Sequence, residues 1–237
     1  MDRAKTLIFL LYWVVLITGC ILIFEEYYWA ASIVRVLLMP VLGAYLFVSL
    51  KPTHSQMLKI YFFGAVVFLW VSDLFRIFIN DDPRNGIEKD TPLILSLAAF
   101  CIANLFYILA YNKVRKLALL KAALPSITFM LGLVLIYFMF FKFISKDYIK
   151  SFKTPLICFI ESFIFTIAFA TNILDSNSRK RLSIKYFLPA SFLALISAIL
   201  FVFNRYKLFT PKFDIVVLLS YGYAQLLNII GFRKTSK

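Results

Sequence analysis

The chain has 237 residues, 62% of them hydrophobic and 18% aromatic, and its formal net charge is +14 at pH 7. Its mean hydropathy of +0.86 excludes an ordinary soluble fold, because a globular domain is nearer half apolar and could not cover this much apolar surface. The charge does not point to nucleic acid. Lys and Arg lie mostly in short segments between apolar blocks, where they set membrane topology and meet anionic headgroups.

Eight apolar blocks follow one another, at 6–24, 30–50, 59–79, 92–111, 124–143, 155–174, 186–204 and 215–232. Each is close to the ~20 residues that a helical span requires. The first follows Arg3 and Lys5 and runs straight into Glu25-Glu26-Tyr27-Tyr28. It is long for the apolar part of a secretion signal and has no small-x-small cleavage site, so it reads as a retained span. The second block carries Arg35 and an internal Pro40, which predicts a kink there. The third holds Asp73 and Arg76, the fourth Asn104 and Tyr107, the sixth Glu161, the seventh Ser197, and the eighth Tyr221 and Gln225. Pro92, Pro125, Pro155 and Pro189 sit near block starts, where a helix tolerates them.

The linkers are short, so the fold class is all-α: a polytopic transmembrane helical bundle of about eight spans, with residues 1–237 as one domain. The blocks are too long and too continuous for barrel strands. Counting Lys and Arg by side places both termini in the cytoplasm.

Cys20, Cys101 and Cys158 fall inside apolar blocks with no C-x-x-C pair, and His54 stands alone in a loop. The cysteines read as packing residues, and neither a disulfide nor a metal site is expected. The chain has no phosphate-binding loop, no G-x-S-x-G elbow and no H-E-x-x-H. No cofactor is expected, and any chemistry falls to carboxylates.

An ionised side chain at the bilayer centre costs at least ~2.5–3.5 kcal/mol, so it is rare without a role. Four ionisable residues carry that weight here: Arg35, Asp73, Arg76 and Glu161. Asp73 and Arg76 are three residues apart and share a helical face. One reading is a local ion pair with Arg76 snorkelling outward. The other is a carboxyl facing a cavity, where desolvation favours the protonated form and lets it act as an acid. Glu161 needs a partner or water, and Arg35 is the candidate cation. That leaves a structural pair across helices or a site role. Asn104 with Tyr107, Tyr221 with Gln225, and Ser197 are either interhelical hydrogen-bonding glue or lining for a site.

The order of several short motifs resembles the YhhN family, which includes the lysoplasmalogenases. The residues that carry the likeness are Arg35 before Leu37-Leu38-Met39-Pro40, Gly64-Ala65 with Phe68 and Asp73, Ala98-Ala99-Phe100 with Tyr107, Asn204-Arg205-Tyr206, and Tyr221 with Ala224-Gln225. The chain departs from that pattern in four places. Arg35-Val36 stands for Lys-Pro, Ser72-Asp73 for Gly-Asp, Ala103-Asn104 for Ala-His and Ser197-Ala198 for Ser-Asp.

The resemblance implies hydrolysis of the vinyl-ether bond of lysoplasmalogen-type lipids to a fatty aldehyde and a glycerophospho-alcohol. That chemistry asks for two carboxyls, one to protonate carbon and one to activate water. Asp73 is expected to supply the acid and Glu161 to replace the carboxylate absent at Ala198. Arg35, Asn104, Tyr107, Ser197, Tyr221 and Gln225 are the expected substrate-binding residues. The implied partner is a lysophospholipid-like membrane lipid, and the implied location is a bacterial inner membrane. The alternative is a catalytically inactive, lipid-binding member of the same family, favoured by Asn104 and Ala198. A transporter ranks last, because no inverted repeat is visible.

Overall fold

In a computed structural model of the protein the described residues are 3–50, 55–78, 90–115, 183–205 and 211–234. Among them there is no strand. They form six long helices: α1 Arg3–Phe24, α2 Tyr28–Ser49, α3 Gln56–Ile77, α4 Asp90–Arg115, α5 Leu188–Arg205 and α6 Asp214–Lys234. A π-helical turn, Ser183–Phe187, leads into α5, and a 3-10 turn, Pro211–Phe213, leads into α6. Six of the eight expected spans therefore appear as helices, and the fifth and sixth, 124–143 and 155–174, lie outside the described residues. Helices α1, α2, α3 and α6 are long and apolar enough to cross a membrane; shorter apolar stretches are Leu95–Tyr111 in α4 and Ile184–Ala198, which runs from the π-helical turn into α5.

Local signals explain the helix ends. At the close of α1, Tyr27 N–H bonds back to the Leu22 carbonyl at 2.8 Å and Glu26 N–H to Ile23 at 3.1 Å. Glu26 has φ 65°, so it fills the left-handed position of this closure, which glycine usually takes. At the start of α3 the Ser55 side chain accepts from Leu58 N–H at 3.2 Å, a normal N-cap. Helix α2 runs on through Pro40.

Packing follows from which stripe of each helix is apolar and small. Along α1 the residues Tyr12, Leu16, Gly19 and Ile23 are buried, while Leu7, Leu10, Val14, Ile17 and Ile21 stay exposed. The exposed stripe is the lipid-facing side of a span. Helix α6 is central: 67% of its apolar window is buried, against 22% for α1, and it packs against α1, α2 and α5. The approach of α1 and α6 is close because glycine stands on both sides. A Cβ on Gly19 would meet Leu218 at 2.9 Å, and one on Gly222 would meet Leu16 at 2.8 Å. Small residues at such crossings let backbones approach and gain dispersion. Tyr12 Oη uses that closeness to donate to the Gly222 carbonyl at 2.7 Å.

Tyr12 against Gly222 and Gly19 against Leu218 make α1 and α6 antiparallel. The start of α1 and the end of α6 therefore lie at one end of the bundle. Arg35, Asp73, Arg76 and Asp214 lie toward the opposite end.

Candidate functional site

At that opposite end, five helices leave a cavity of ≈ 60 Å³ between them. The end of α1 supplies Ile23 and the start of α2 supplies Tyr28, Ser32 and Arg35. The end of α3 supplies Asp73 and Arg76, α5 supplies Phe201, and the start of α6 supplies Asp214 and Leu218. Tyr28, Ser32 and Arg35 are spaced i, i+4, i+7, so one stripe of α2 forms a wall. Arg35 lies seven residues into α2, about 10 Å below the helix start at 1.5 Å per residue.

The centre of the site is a closed triad. Arg35 Nε donates to Asp73 Oδ1 at 3.1 Å, and Tyr221 Oη donates to Asp73 Oδ2 at 2.9 Å. The Arg35 guanidinium also sits 4.9 Å from the centre of the Tyr221 ring, within cation–π range. The Asp73 side chain is 1% exposed and that of Arg35 15%. A pair this buried holds because each charge has its counter-charge and further hydrogen bonds.

The pairing bears on two expectations. Arg35, the expected partner of Glu161, is bonded instead to Asp73; Glu161 lies outside the described residues. Asp73, expected to be the acid, accepts hydrogen bonds on both oxygens. A carboxyl group that accepts at both oxygens is held in a fixed orientation toward the cavity. Arg76, for which a local pair with Asp73 was one of two readings, places Nε 3.3 Å from Ser96 Oγ and its guanidinium 4.2 Å from the centre of the Phe201 ring. Ser96 in turn meets Ser72 at 3.1 Å, tying α3 to α4.

Part of Arg35 is left over. Its Nη2 is buried and has no hydrogen-bond partner among the described residues. A buried charged donor without an acceptor costs ~1–3 kcal/mol or more, and such an atom calls for an explanation.

The other residues singled out from the sequence lie away from this cavity. Tyr107 Oη donates to Gln225 Oε1 at 2.8 Å, joining α4 to α6. One helical turn on, Tyr111 Oη donates to Asn228 Oδ1, so α4 and α6 share a buried polar ladder. Asn104 gives its amide to the Phe100 carbonyl of its own helix at 2.9 Å, and Ser197 Oγ donates to the Val217 carbonyl at 3.0 Å. In the described structure these four residues make interhelical or intrahelical hydrogen bonds of the kind that ties packed helices together.

Asp214 is the charged cavity residue that sequence reasoning missed. It stands at the edge of the last apolar block, where an acidic first-turn residue is ordinary. Its spacing of seven residues from Tyr221 put it on the same face, and that was the available signal. Tyr28 and Ser32 were hidden the same way, as unremarked polar residues at the head of a span.

The fold and site define a polytopic helical membrane protein with a polar cavity built on a buried Arg–Asp–Tyr triad. Among the described residues no cluster of His, Cys, Asp and Glu could hold a metal ion. The YhhN family model matches residues 28–231, so the chain belongs to the YhhN family, a lysoplasmalogenase-like family of membrane proteins. That stretch begins at Tyr28 and ends beyond Gln225, and so spans every cavity residue except Ile23. No curated protein and no solved structure matches the chain.

Proposed function

We propose that this protein is a lysoplasmalogenase-like hydrolase, cleaving the vinyl-ether bond of a lysophospholipid-like lipid from within the membrane. The observation that carries the reading is Asp73: a buried carboxylate at a cavity that reaches the headgroup end of the bundle, in a chain of this family. In the reaction a proton adds to the outer vinyl carbon and water oxygen adds to the carbon bearing the ether oxygen. The hemiacetal then collapses to a fatty aldehyde and a glycerophospho-alcohol. Water is consumed and no redox partner is needed.

Asp73, an acceptor on both oxygens, takes the role of base and water holder. Tyr221 and Arg35 are positioning residues for it. The proton donor is assigned to Glu161. Both termini are placed in the cytoplasm by the Lys and Arg bias, which puts the cavity at the outer face of a bacterial inner membrane.

The test is aldehyde release from lysoplasmalogen by the purified, detergent-solubilised protein beside Asp73→Asn and Glu161→Gln. Activity lost in both variants supports the hydrolase. Activity that survives Asp73→Asn refutes the role given to Asp73.

The second reading is a lipid-binding member of the family without turnover. Asn104 favours it, because the amide standing where the family pattern has histidine is committed to the Phe100 carbonyl, and Ala198 carries no carboxyl. Lipid retained on the purified protein, with no aldehyde from any vinyl-ether substrate, is the result that selects it.

A further inference from the structure

The two ends of the bundle differ in the sign of their charge. The acidic residues among those described are Glu25, Glu26, Asp73, Asp90 and Asp214. All lie toward the cavity end, near the close of α1 and α3 or the start of α4 and α6. The other end, where α1 starts and α6 finishes, carries Lys5, Lys59, Lys185, Arg233 and Lys234. We propose that at this end Lys185, Tyr186 and Lys234 form a site for the phosphate of an anionic membrane phospholipid. The site stands apart from the chemistry proposed for the cavity.

Tyr186 is its centre. It lies in the π-helical turn that leads into α5, and it is buried. Gly231 of α6 lets it in. A Cβ on Gly231 would meet Tyr186 Cβ at 2.9 Å and the Phe187 ring at 2.7 Å. Three residues on, Lys234 donates from Nζ to Tyr186 Oη. The Lys234 ammonium lies 4.7 Å from the centre of the Tyr186 ring and that of Lys185 5.8 Å, both within cation–π range. Two cations thus converge on one ring, and neither has an acidic partner among the described residues.

The helix dipole accounts for Lys234, which stands in the last turn of α6. It does not account for Lys185, because a cation gains nothing from the dipole at the start of a helix. Like charges on one ring also repel. An anion between the two ammonium groups removes that repulsion. The Tyr186 hydroxyl accepts from Lys234, and its own hydrogen meets no acceptor among the described residues. Two ammonium groups and one phenolic O–H make a donor set for phosphate oxygens.

The surroundings name the source of the phosphate. Ile184, next to Lys185, and Phe192, further along α5, are both exposed. From this end α5 runs toward the cavity, where it supplies Phe201. An apolar surface therefore leads about 12 Å from the charged residues into the membrane, at 1.5 Å per residue. An acyl chain can lie along it, whereas a soluble phosphate ester has nothing to place there. Anionic headgroups are also what a basic helix end meets at a membrane surface.

The experiment is equilibrium binding to the full-length, detergent-solubilised protein. The probes are phosphatidylglycerol, phosphatidylcholine with the same acyl chains, and glycerol phosphate without chains. Phosphatidylglycerol should bind more tightly than phosphatidylcholine. That preference should fall about fivefold in each of Lys185→Gln and Lys234→Gln. Lys59→Gln removes a positive charge from the same end, on α3, and should change nothing. Tyr186→Phe keeps the ring and both cations and removes the O–H. Since both lipids carry a phosphate, it should weaken both about tenfold.

Equal affinity for the two lipids overturns the proposal. So does a loss in Lys59→Gln as large as in Lys185→Gln and Lys234→Gln, which would leave only a diffuse basic surface. If a lysine variant fails to fold, unchanged affinity for both lipids in Tyr186→Phe overturns it instead. Glycerol phosphate binding as tightly as phosphatidylglycerol would refute a lipid as the source.

Discussion

Arg35 and Asp73 stand 38 residues apart in sequence and meet at 3.1 Å across α2 and α3, with Tyr221 of α6 closing the other side of the carboxylate. One carboxylate thus ties three helices together at the polar end of the bundle. The group to which the proposed reaction assigns the base role is also part of what fixes the packing.

Asp73→Asn should therefore cost stability as well as activity. Removing one partner of a buried ion pair leaves the other charge uncompensated, which typically destabilises by ~3–5 kcal/mol. Thermal unfolding in detergent should show a clear drop. An unfolding midpoint equal to that of the unmodified protein would show that the pair is not formed in the membrane protein.

Tyr221→Phe separates the hydroxyl from the ring. The ring stays beside the Arg35 guanidinium, and only the hydrogen bond to Asp73 Oδ2 is removed. A hydrogen bond to a charged group is worth ~1.5–3 kcal/mol, so the loss should be smaller than for Asp73→Asn. In the double variant the two losses should not add, because both act on one network. Simple additivity in a double-mutant cycle would contradict the triad.

Gly222→Ala should loosen the α1–α6 seam. The added methyl meets Leu16 at 2.8 Å and the Tyr12 hydroxyl at 3.1 Å, where Tyr12 now donates to the Gly222 carbonyl. Overpacking of this kind costs ~1–3 kcal/mol. Tyr12→Phe, by contrast, removes only the hydrogen bond, at ~0.5–1.5 kcal/mol. Gly222→Ala should lower the unfolding midpoint more than Tyr12→Phe, and the reverse order would show that the seam relaxes freely.

Asn104→Ala should leave lipid affinity unchanged. The amide already serves the Phe100 carbonyl of its own helix, so its loss removes a local bond worth about 1 kcal/mol and no ligand-binding group. A marked rise in KM or Kd for this variant would show that Asn104 contacts the lipid.

Fusion reporters at the two termini should report the same compartment, because α1 and α6 run antiparallel with those ends together. Reporters on opposite sides would break the topology of the bundle.

Sequence alone determined that this chain lives in lipid, that its spans are helices, and which few residues could not be there by chance. The reason is energetic: Arg35, Asp73, Arg76 and Glu161 stand out because charge in hydrocarbon is expensive wherever the neighbours lie. Tyr221 and Asp73 were each visible, as was the spacing of Tyr107, Gln225 and Asn104. Tertiary structure decided which of these meet. Arg35 meets Asp73, and Tyr107 meets Gln225. Helical periodicity fixes the face on which a residue stands but not the helix that comes to cover it. The Tyr221–Asp73 hydrogen bond joins residues 148 apart in sequence. Asp214 was legible only afterwards, because a carboxylate at a helix start is ordinary until the fold brings it to the same cavity as Asp73.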